Sequence, residues 1–111
     1  MDLGVATPEQ LARYGDGECW KLAQAIHDAT GWPMVLWSDD DGVTGHVMVR
    51  CPDGWYVDVE SVVDAAHMAS VGWRDEPTVV RSADALQWGV SAGDVDDQTR
   101  ELAARIVAAI R

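Results

Sequence analysis

The tripeptide Pro52-Asp53-Gly54 constrains the fold of this chain more than any other short stretch. All three residue types favour turns, and the segments on either side, residues 46–51 and 55–59, alternate in the manner of strands. A three-residue loop with Gly54 in the left-handed conformation would join these segments as two antiparallel strands. The chain is therefore predicted to contain an antiparallel hairpin.

The loop length sets which residues face each other across this hairpin. The predicted pairs are Cys51 with Trp55, Met48 with Asp58, and His46 with Glu60. Since paired residues share a sheet face, His46 and Asp58 are predicted to be diagonal neighbours, roughly 7–8 Å apart at the backbone and within bridging reach of their side chains. Their face also holds Met48, Arg50, Tyr56 and Glu60, and the opposite, apolar face holds Val47, Val49, Cys51, Trp55, Val57 and Val59.

Capping signals and apolar periodicity predict two helices before the hairpin. Thr7-Pro8-Glu9-Gln10 predicts a short helix that stops at Gly15, with Thr7 and Gln10 forming a capping box. A second helix opens at Asp16-Gly17 and runs to about Thr30, and Cys19 lies in its first turn. Its core-facing stripe consists of Cys19, Leu22, Ala23 and Ile26.

The remaining elements complete an α+β pattern. Strands are predicted at residues 33–37 and 77–81, a helix that follows Ser61 with residues 61–64 as its capping box, and a short helical turn from Ser82 through Trp88. An amphipathic helix over residues 97–110 turns Leu102, Ala103, Ile106, Val107 and Ile110 inward. We expect a single domain over residues 1–111, in which the helices pack on an antiparallel sheet of about four strands.

Charge and composition limit the classes of partner. The net charge of −11, from 19 acidic and 8 basic side chains, disfavours nucleic acid because such a surface repels phosphate. The first residues include neither a basic segment nor a long apolar run, which predicts no signal peptide, no membrane span and a cytoplasmic location. In that reducing compartment the two cysteines are expected to be free thiols.

Three side chains have the chemistry of a thiol-dependent site. The start of a helix favours the thiolate of Cys19, His46 would take its proton, and Asp58 would orient the imidazole. The Cys19 backbone N–H would serve as an oxyanion donor. Against this interpretation, Asp16 and Glu18 flank the thiol, and their negative charges oppose its ionisation. The size of this effect depends on how close their carboxylates lie to the sulfur.

Other interpretations of these residues stay open. Cys19 is also explained as a small buried hydrophobe, and His46 with Asp58 as a surface ion pair. Glu60 is an alternative to Asp58 as the group that orients His46. A zinc site is disfavoured because the chain offers no Cys-x-x-Cys element and no fourth ligand, and we expect no metal or cofactor.

The sequence resembles a known superfamily over about Asp16 to Glu60. Gly17-Glu18-Cys19-Trp20 resembles the Gly-x-Cys-Trp that begins the active-site helix of transglutaminase-like and papain-like enzymes. His46 at the head of a strand, followed by Gly54-Trp55 and Asp58, is similar to the histidine and aspartate strands of transglutaminase-like domains. The resemblance implies a small papain-like fold and a Cys-His-Asp triad, with Cys19 as nucleophile, His46 as general base and Asp58 as orienter.

Two details depart from the superfamily pattern. The interval from His46 to Asp58 is shorter than in a typical transglutaminase. Papain-like enzymes place a glutamine ahead of the cysteine as oxyanion donor, and Gln10 lies further upstream, where the capping box competes for its side chain. Gln10 is therefore a secondary candidate for the oxyanion site.

The leading functional hypothesis is an enzyme that acts on an amide or related acyl bond of a protein or peptide, through an acyl thioester at Cys19. Peptidase, amidase, deamidase and transamidase activities share that step. The alternative is a catalytically inactive papain-like module, phage- or secretion-associated, that docks on a basic protein. Trp20 and Trp73 are predicted to line a substrate cleft, and Trp37, Trp55 and Trp88 to serve the core.

Overall fold

The computed structural model describes residues 3–15, 18–38, 45–73, 77–80 and 95–110. In these residues the chain forms four helices and a five-stranded antiparallel sheet, so the α+β class is confirmed. The helices are α1 (Pro8–Gly15), α2 (Cys19–Thr30), α3 (Ala65–Ser70) and α4 (Asp97–Ile110). The strands are β1 (Met34–Ser38), β2 (Gly45–Arg50), β3 (Tyr56–Val57), β4 (Val62–Val63) and β5 (Thr78–Val80), in the sheet order β4-β3-β2-β1-β5.

The predicted register of the central hairpin is confirmed. Val49 pairs with Val57 and Arg50 with Tyr56, and the Cys51 N–H donates to the Trp55 carbonyl at 2.7 Å. Gly54 has φ 91°, the left-handed conformation that the three-residue loop requires.

The second strand of the hairpin is much shorter than predicted. It ends at Val57, so neither the pair of Met48 with Asp58 nor that of His46 with Glu60 forms. Asp58 causes the stop, because its Oδ1 accepts the N–H groups of Glu60 at 2.9 Å and Ser61 at 3.0 Å, an Asx-type turn. The chain reverses into β4, a strand that the sequence analysis does not predict.

The start of α3 also differs from the prediction. The residue that caps it is Asp64, whose Oδ1 accepts the His67 N–H at 2.9 Å, and the helix begins at Ala65. Ser61, the predicted cap, lies in the turn that Asp58 organises. Val62 and Val63 are instead extended and pair with β3, so the sheet contains the residues that the capping box would have placed in the helix.

The sheet carries apolar clusters on both faces. One face packs against α2, which packs in turn against α4, and its cluster includes Val47, Val49 and Val57 from the sheet with Leu22 and Ile26 from α2. The core-facing positions predicted for α4 are confirmed as buried or partly buried: Leu102, Ala103, Ile106, Val107 and Ile110. The other face carries a second buried cluster formed by Val35, Trp37, Met48, Tyr56, Val63 and Met68.

Of the tryptophans predicted to serve the core, Trp37 is fully buried. The prediction for Trp55 is wrong, since its side chain is 42% exposed. It directly follows the loop that closes the hairpin and lies beside the last residues of α4. Trp88 and the helical turn predicted from Ser82 lie outside the described residues.

Helix α1 is capped at its start and is tied to α4 near its end. Its capping box is confirmed, since Thr7 N–H donates to Gln10 Oε1 at 3.0 Å and Gln10 N–H to Thr7 Oγ1 at 3.2 Å. Near its end the buried Tyr14 hydroxyl hydrogen-bonds Thr99 Oγ1 of α4 at 2.6 Å. In the described part of the chain, none of the helices has the length and apolar character needed to cross a membrane.

The two candidate caps of α3 can be separated by mutation. We expect Asp64→Ala to lower the free energy of unfolding by about 1 kcal/mol, because the His67 N–H loses its acceptor. Ser61→Ala should change it by less than about 0.5 kcal/mol. Urea unfolding midpoints of the two variants and the wild type give the comparison, and the opposite ranking would contradict this account of α3.

Candidate active site

The structure brings Cys19, His46 and Asp58 together. Cys19 is the first residue of α2, His46 lies at the start of β2, and Asp58 directly follows β3. The His46 Nε2–H donates to Asp58 Oδ2 at 3.0 Å, and the Cys19 thiol lies within hydrogen-bonding reach of the same ring. Because Nε2 is engaged by Asp58, Nδ1 is the ring nitrogen left for the thiol.

The early end of β3 opens a gap in the sheet at this point. The Cys51 N–H donates across the edge of β2 that faces β3, and alternation along a strand directs the Val47 N–H to the same edge. Because β3 ends at Val57, it does not accept the Val47 N–H, which hydrogen-bonds the Cys19 sulfur instead. A backbone group that a longer hairpin would have consumed is thus available to the thiol.

The environment of Cys19 favours the thiolate. Burial, the largest influence, raises the pKa of Cys19, whose residue is only 8% exposed. Hydrogen bonds from His46, Val47 and Trp20 and the charge of His46 outweigh burial, so the pKa of Cys19 lies below its ordinary value. The Trp20 contribution arises from the position of Cys19 in the first turn, where backbone N–H groups have no partner within the helix.

His46 and Asp58 are shifted in the complementary directions. Burial opposes protonation of His46, but its contacts with Asp58 and Cys19 raise the pKa of His46 to about 9. Burial also opposes ionisation of Asp58, yet His46 and the Ser61 and Glu60 amides hold the pKa of Asp58 below its ordinary range. Both shifts favour the form of the pair in which Cys19 is a thiolate and His46 an imidazolium.

Glu18, which flanks the thiol in sequence, is neutralised by two cations. Its carboxylate binds Arg13 Nε of α1 and, at 2.8 Å, Lys21 Nζ. Arg13 also binds Asp96 Oδ2 at 2.8 Å and Gln98 Oε1 at 2.9 Å, which fixes the guanidinium between α1 and the start of α4. The Glu18 side chain therefore accepts no hydrogen bond from the first N–H groups of α2. It does not compete with the Cys19 sulfur for them. Asp16 lies outside the described residues.

The second cysteine shows what burial does without such partners. Cys51 is buried and free, and burial together with the charge of Asp53 raises the pKa of its thiol to about 11. Cys19 is also a free, buried cysteine, but its pKa moves in the opposite direction. In the ranges that the structure describes, no group of three or more His, Cys, Asp or Glu side chains is arranged to hold a metal ion.

The secondary candidates, Gln10 and Glu60, differ in how they relate to the triad. Gln10 is buried and its Oε1 is held by the capping box, so its role as an oxyanion donor stays a prediction. The side chain of Glu60 is exposed, and the carboxylate that binds His46 belongs to Asp58. Glu60 contributes its backbone N–H, which holds Asp58 Oδ1.

A cleft of about 370 Å³ is lined by His46 and Asp58, and Cys19 is not among the described residues that line it. The Trp73 ring stacks on the His46 ring with 6.1 Å between centroids and lines this cleft, and its role toward a substrate stays a prediction. Trp20 does not line it, since Trp20 is 5% exposed and packs in the core with Lys21 Nζ over its ring. Trp20 belongs to the buried cluster that α2 forms with the sheet, which is why it does not take the cleft role expected for it.

Several residues of this region are missed by sequence reasoning. Arg13 forms an ion pair with Glu18, and the Val47 N–H hydrogen-bonds Cys19. No local sequence pattern predicts either contact. Leu11, His67 and Val71 line the cleft from α1, α3 and the segment after α3. His67 is easily noticed in the sequence as a candidate functional residue. Its position in the cleft depends on how α3 packs beside the hairpin, which the sequence pattern does not predict.

Arg13 provides a test of how the thiol is protected from Glu18. We expect Arg13→Gln to raise the pKa of Cys19, because the Glu18 carboxylate would keep only Lys21 as a partner, and to slow alkylation by iodoacetamide roughly threefold at neutral pH. The double variant Arg13→Gln with Glu18→Gln should regain the wild-type rate. If the double variant stays as slow as the single one, Arg13 acts through the packing of α1 and not through charge.

Comparisons with known proteins assign no family to this chain. No family model matches it, and no solved structure matches it. A DNA ligase of Akkermansia muciniphila is 27% identical over 77 residues, which cover 68% of this chain. The chain spans only 10% of the length of that ligase, and at this identity the similarity does not establish membership of a family.

Proposed function

We propose that this protein is a small papain-like thiol enzyme that acts on an amide or related acyl bond of a protein or peptide. The observation that carries the proposal is the continuous contact from the Cys19 thiol through His46 to the Asp58 carboxylate. A thiol at a helix start, an imidazole within its reach and a carboxylate on the far ring nitrogen are the parts of an activated nucleophile. The α+β fold is compatible with a papain-like domain.

The arrangement supports a two-step acyl transfer. The Cys19 sulfur attacks the carbonyl carbon, and the resulting oxyanion is stabilised by backbone N–H donors at the start of α2. The imidazolium of His46 gives its proton to the leaving amine as the carbon–nitrogen bond breaks, which leaves a thioester on Cys19. Water or another amine then attacks the thioester while His46 takes its proton, and the acyl product departs from the restored thiolate.

The proposed substrate is a polypeptide and not a nucleic acid. A net charge of −11 repels a phosphate backbone, whereas the cleft beside His46 offers apolar and hydrogen-bonding walls suited to a peptide. The similarity to a DNA ligase covers too little of that protein to carry a substrate assignment.

An inactive binding module is the second candidate. The observation in its favour is that Cys19 is 8% exposed and is absent from the described residues that line the cleft, although His46 and Asp58 line it. A module of this kind would use the acidic surface to dock on a basic protein. The two candidates differ in whether Cys19 can be acylated and then released.

Para-nitrophenyl acetate tests the nucleophile without knowledge of the natural substrate. We expect a burst of nitrophenolate with one acetyl group added at Cys19, followed by slower turnover as water attacks the thioester. His46→Gln should slow acylation roughly a hundredfold or more, and Cys51→Ser should leave it unchanged. Intact-protein mass spectrometry locates the acetyl group. Acylation no faster than that of free glutathione, or a thioester that never turns over, would favour the inactive module.

The protonation of His46 tests the role of Asp58. In the wild type we expect the His46 ring to keep its proton through neutral pH and to lose it as the pH rises through about 9. Asp58→Asn should move this titration to lower pH, since burial would no longer be opposed by the carboxylate. Imidazole NMR resonances, assigned with a His46→Gln spectrum, follow the change. An unmoved titration in Asp58→Asn would show that Asp58 does not support the imidazolium.

A further inference from the structure

The walls of the cleft beside His46 combine an apolar shelf with one exposed carboxylate. Two large apolar side chains stand at its rim, with Leu11 39% exposed and Val71 58% exposed. Trp73 extends this shelf as far as the His46 ring. Apolar side chains that remain this exposed in the cleft beside His46 are available to a ligand, and the volume of about 370 Å³ is at the small end of ligand sites.

Glu60 supplies the charge that a ligand can reach. Two carboxylates line the cleft, and Asp58 is satisfied by His46 and by the amides of Glu60 and Ser61. The Glu60 carboxylate is exposed, and among the described residues no basic side chain forms an ion pair with it. The Glu60 backbone N–H donates to Asp58 Oδ1. This hydrogen bond fixes the backbone from which the Glu60 side chain extends, in the same turn that positions Asp58.

Of the other polar side chains of the wall, the His46 ring is paired with Asp58, and the remaining two are a hydroxyl and a second imidazole ring. Ser61 offers a hydroxyl beside Glu60, and His67 lines the cleft from α3. The chain as a whole has a net charge of −11, which attracts cations over long range. The Glu60 carboxylate attracts them locally. A cationic ligand with an apolar neighbour therefore complements both walls.

We infer that this cleft takes a peptide segment in which a lysine or arginine adjoins a large apolar residue, with the cation at Glu60 and the apolar side chain against Leu11 and Trp73. The inference rests on the proposed function, because it assigns the cleft to the part of the substrate that lies beside His46 and Asp58 while the acyl group is at Cys19. It makes Glu60 and Leu11 residues that determine specificity, distinct from the triad.

Peptidyl chloromethyl ketones test this directly. The Cys19 thiolate attacks the chloromethyl carbon, the carbon–sulfur bond forms, and chloride leaves with the electron pair of the carbon–chlorine bond. Dipeptide probes carrying leucine and lysine, in both orders, are compared with probes in which norleucine replaces lysine. Norleucine keeps the apolar stem and removes the charge, and mass spectrometry gives the labelling rate of Cys19.

In the wild type we expect the lysine probe to react on the order of tenfold faster than its norleucine counterpart in one of the two orders. Glu60→Gln should bring this ratio close to one. Glu101→Gln, which removes the same charge from the exposed surface of α4, should preserve it. Leu11→Ala should reduce the preference for leucine over alanine in the same probes.

The inference fails if the wild-type ratio is near one or if Glu60→Gln retains the wild-type ratio. Because the ratio is internal to each protein, it can be measured whatever the absolute rates. Parallel labelling with iodoacetamide separates this failure from that of the proposed function. Cys19 that reacts with iodoacetamide no faster than glutathione contradicts an activated thiol, whereas a fast thiol with a ratio of one contradicts only the assigned substrate class.

Discussion

The hydrogen bond between His46 and Asp58 depends on β3 ending after two residues. One oxygen of Asp58 holds the N–H groups of Glu60 and Ser61 and turns the chain, and the other binds His46 Nε2 at 3.0 Å. The same carboxylate therefore ends the strand and orients the imidazole. The gap that the short strand leaves in the sheet is where the Cys19 sulfur meets the Val47 amide. The turn at Asp58 therefore determines both where β3 ends and where the candidate site forms.

Three ionisable groups are held in a mostly buried position, and burial alone would keep each of them neutral. Cys51 shows the unopposed effect, with a pKa raised to about 11. At Cys19 and His46 mutual contact and hydrogen bonds reverse this effect, and Arg13 and Lys21 keep the neighbouring Glu18 carboxylate from undoing it. The arrangement stabilises charge through specific partners and not through solvent, which is the condition for a reactive thiol in a small domain.

Features of the fold that depend on local rules are predictable from the sequence. The hairpin register is encoded by Pro52-Asp53-Gly54 and the position of Cys19 by helix periodicity, while capping signals locate α1. The predictions are wrong where two local patterns apply to the same residues. Alternation places Asp58 within a strand, but its side chain bonds the backbone and ends β3, so β4 replaces the predicted start of α3. Contacts such as Arg13 with Glu18, or the burial of Trp20, depend on how α1, α2 and the sheet pack, and no local pattern encodes them.

The central claim is that Cys19 is a thiolate sustained by His46 while Cys51 is an ordinary buried thiol. A pH titration of the ultraviolet absorbance of thiolate, followed in the wild type, in Cys19→Ser and in Cys51→Ser, measures both thiols, because the differences between the proteins remove the absorbance of ionising tyrosines. The account predicts two separate steps, an early one that Cys19→Ser removes and a late one near pH 11 from Cys51. A single late step in the wild type, or an early step that survives Cys19→Ser, would contradict it.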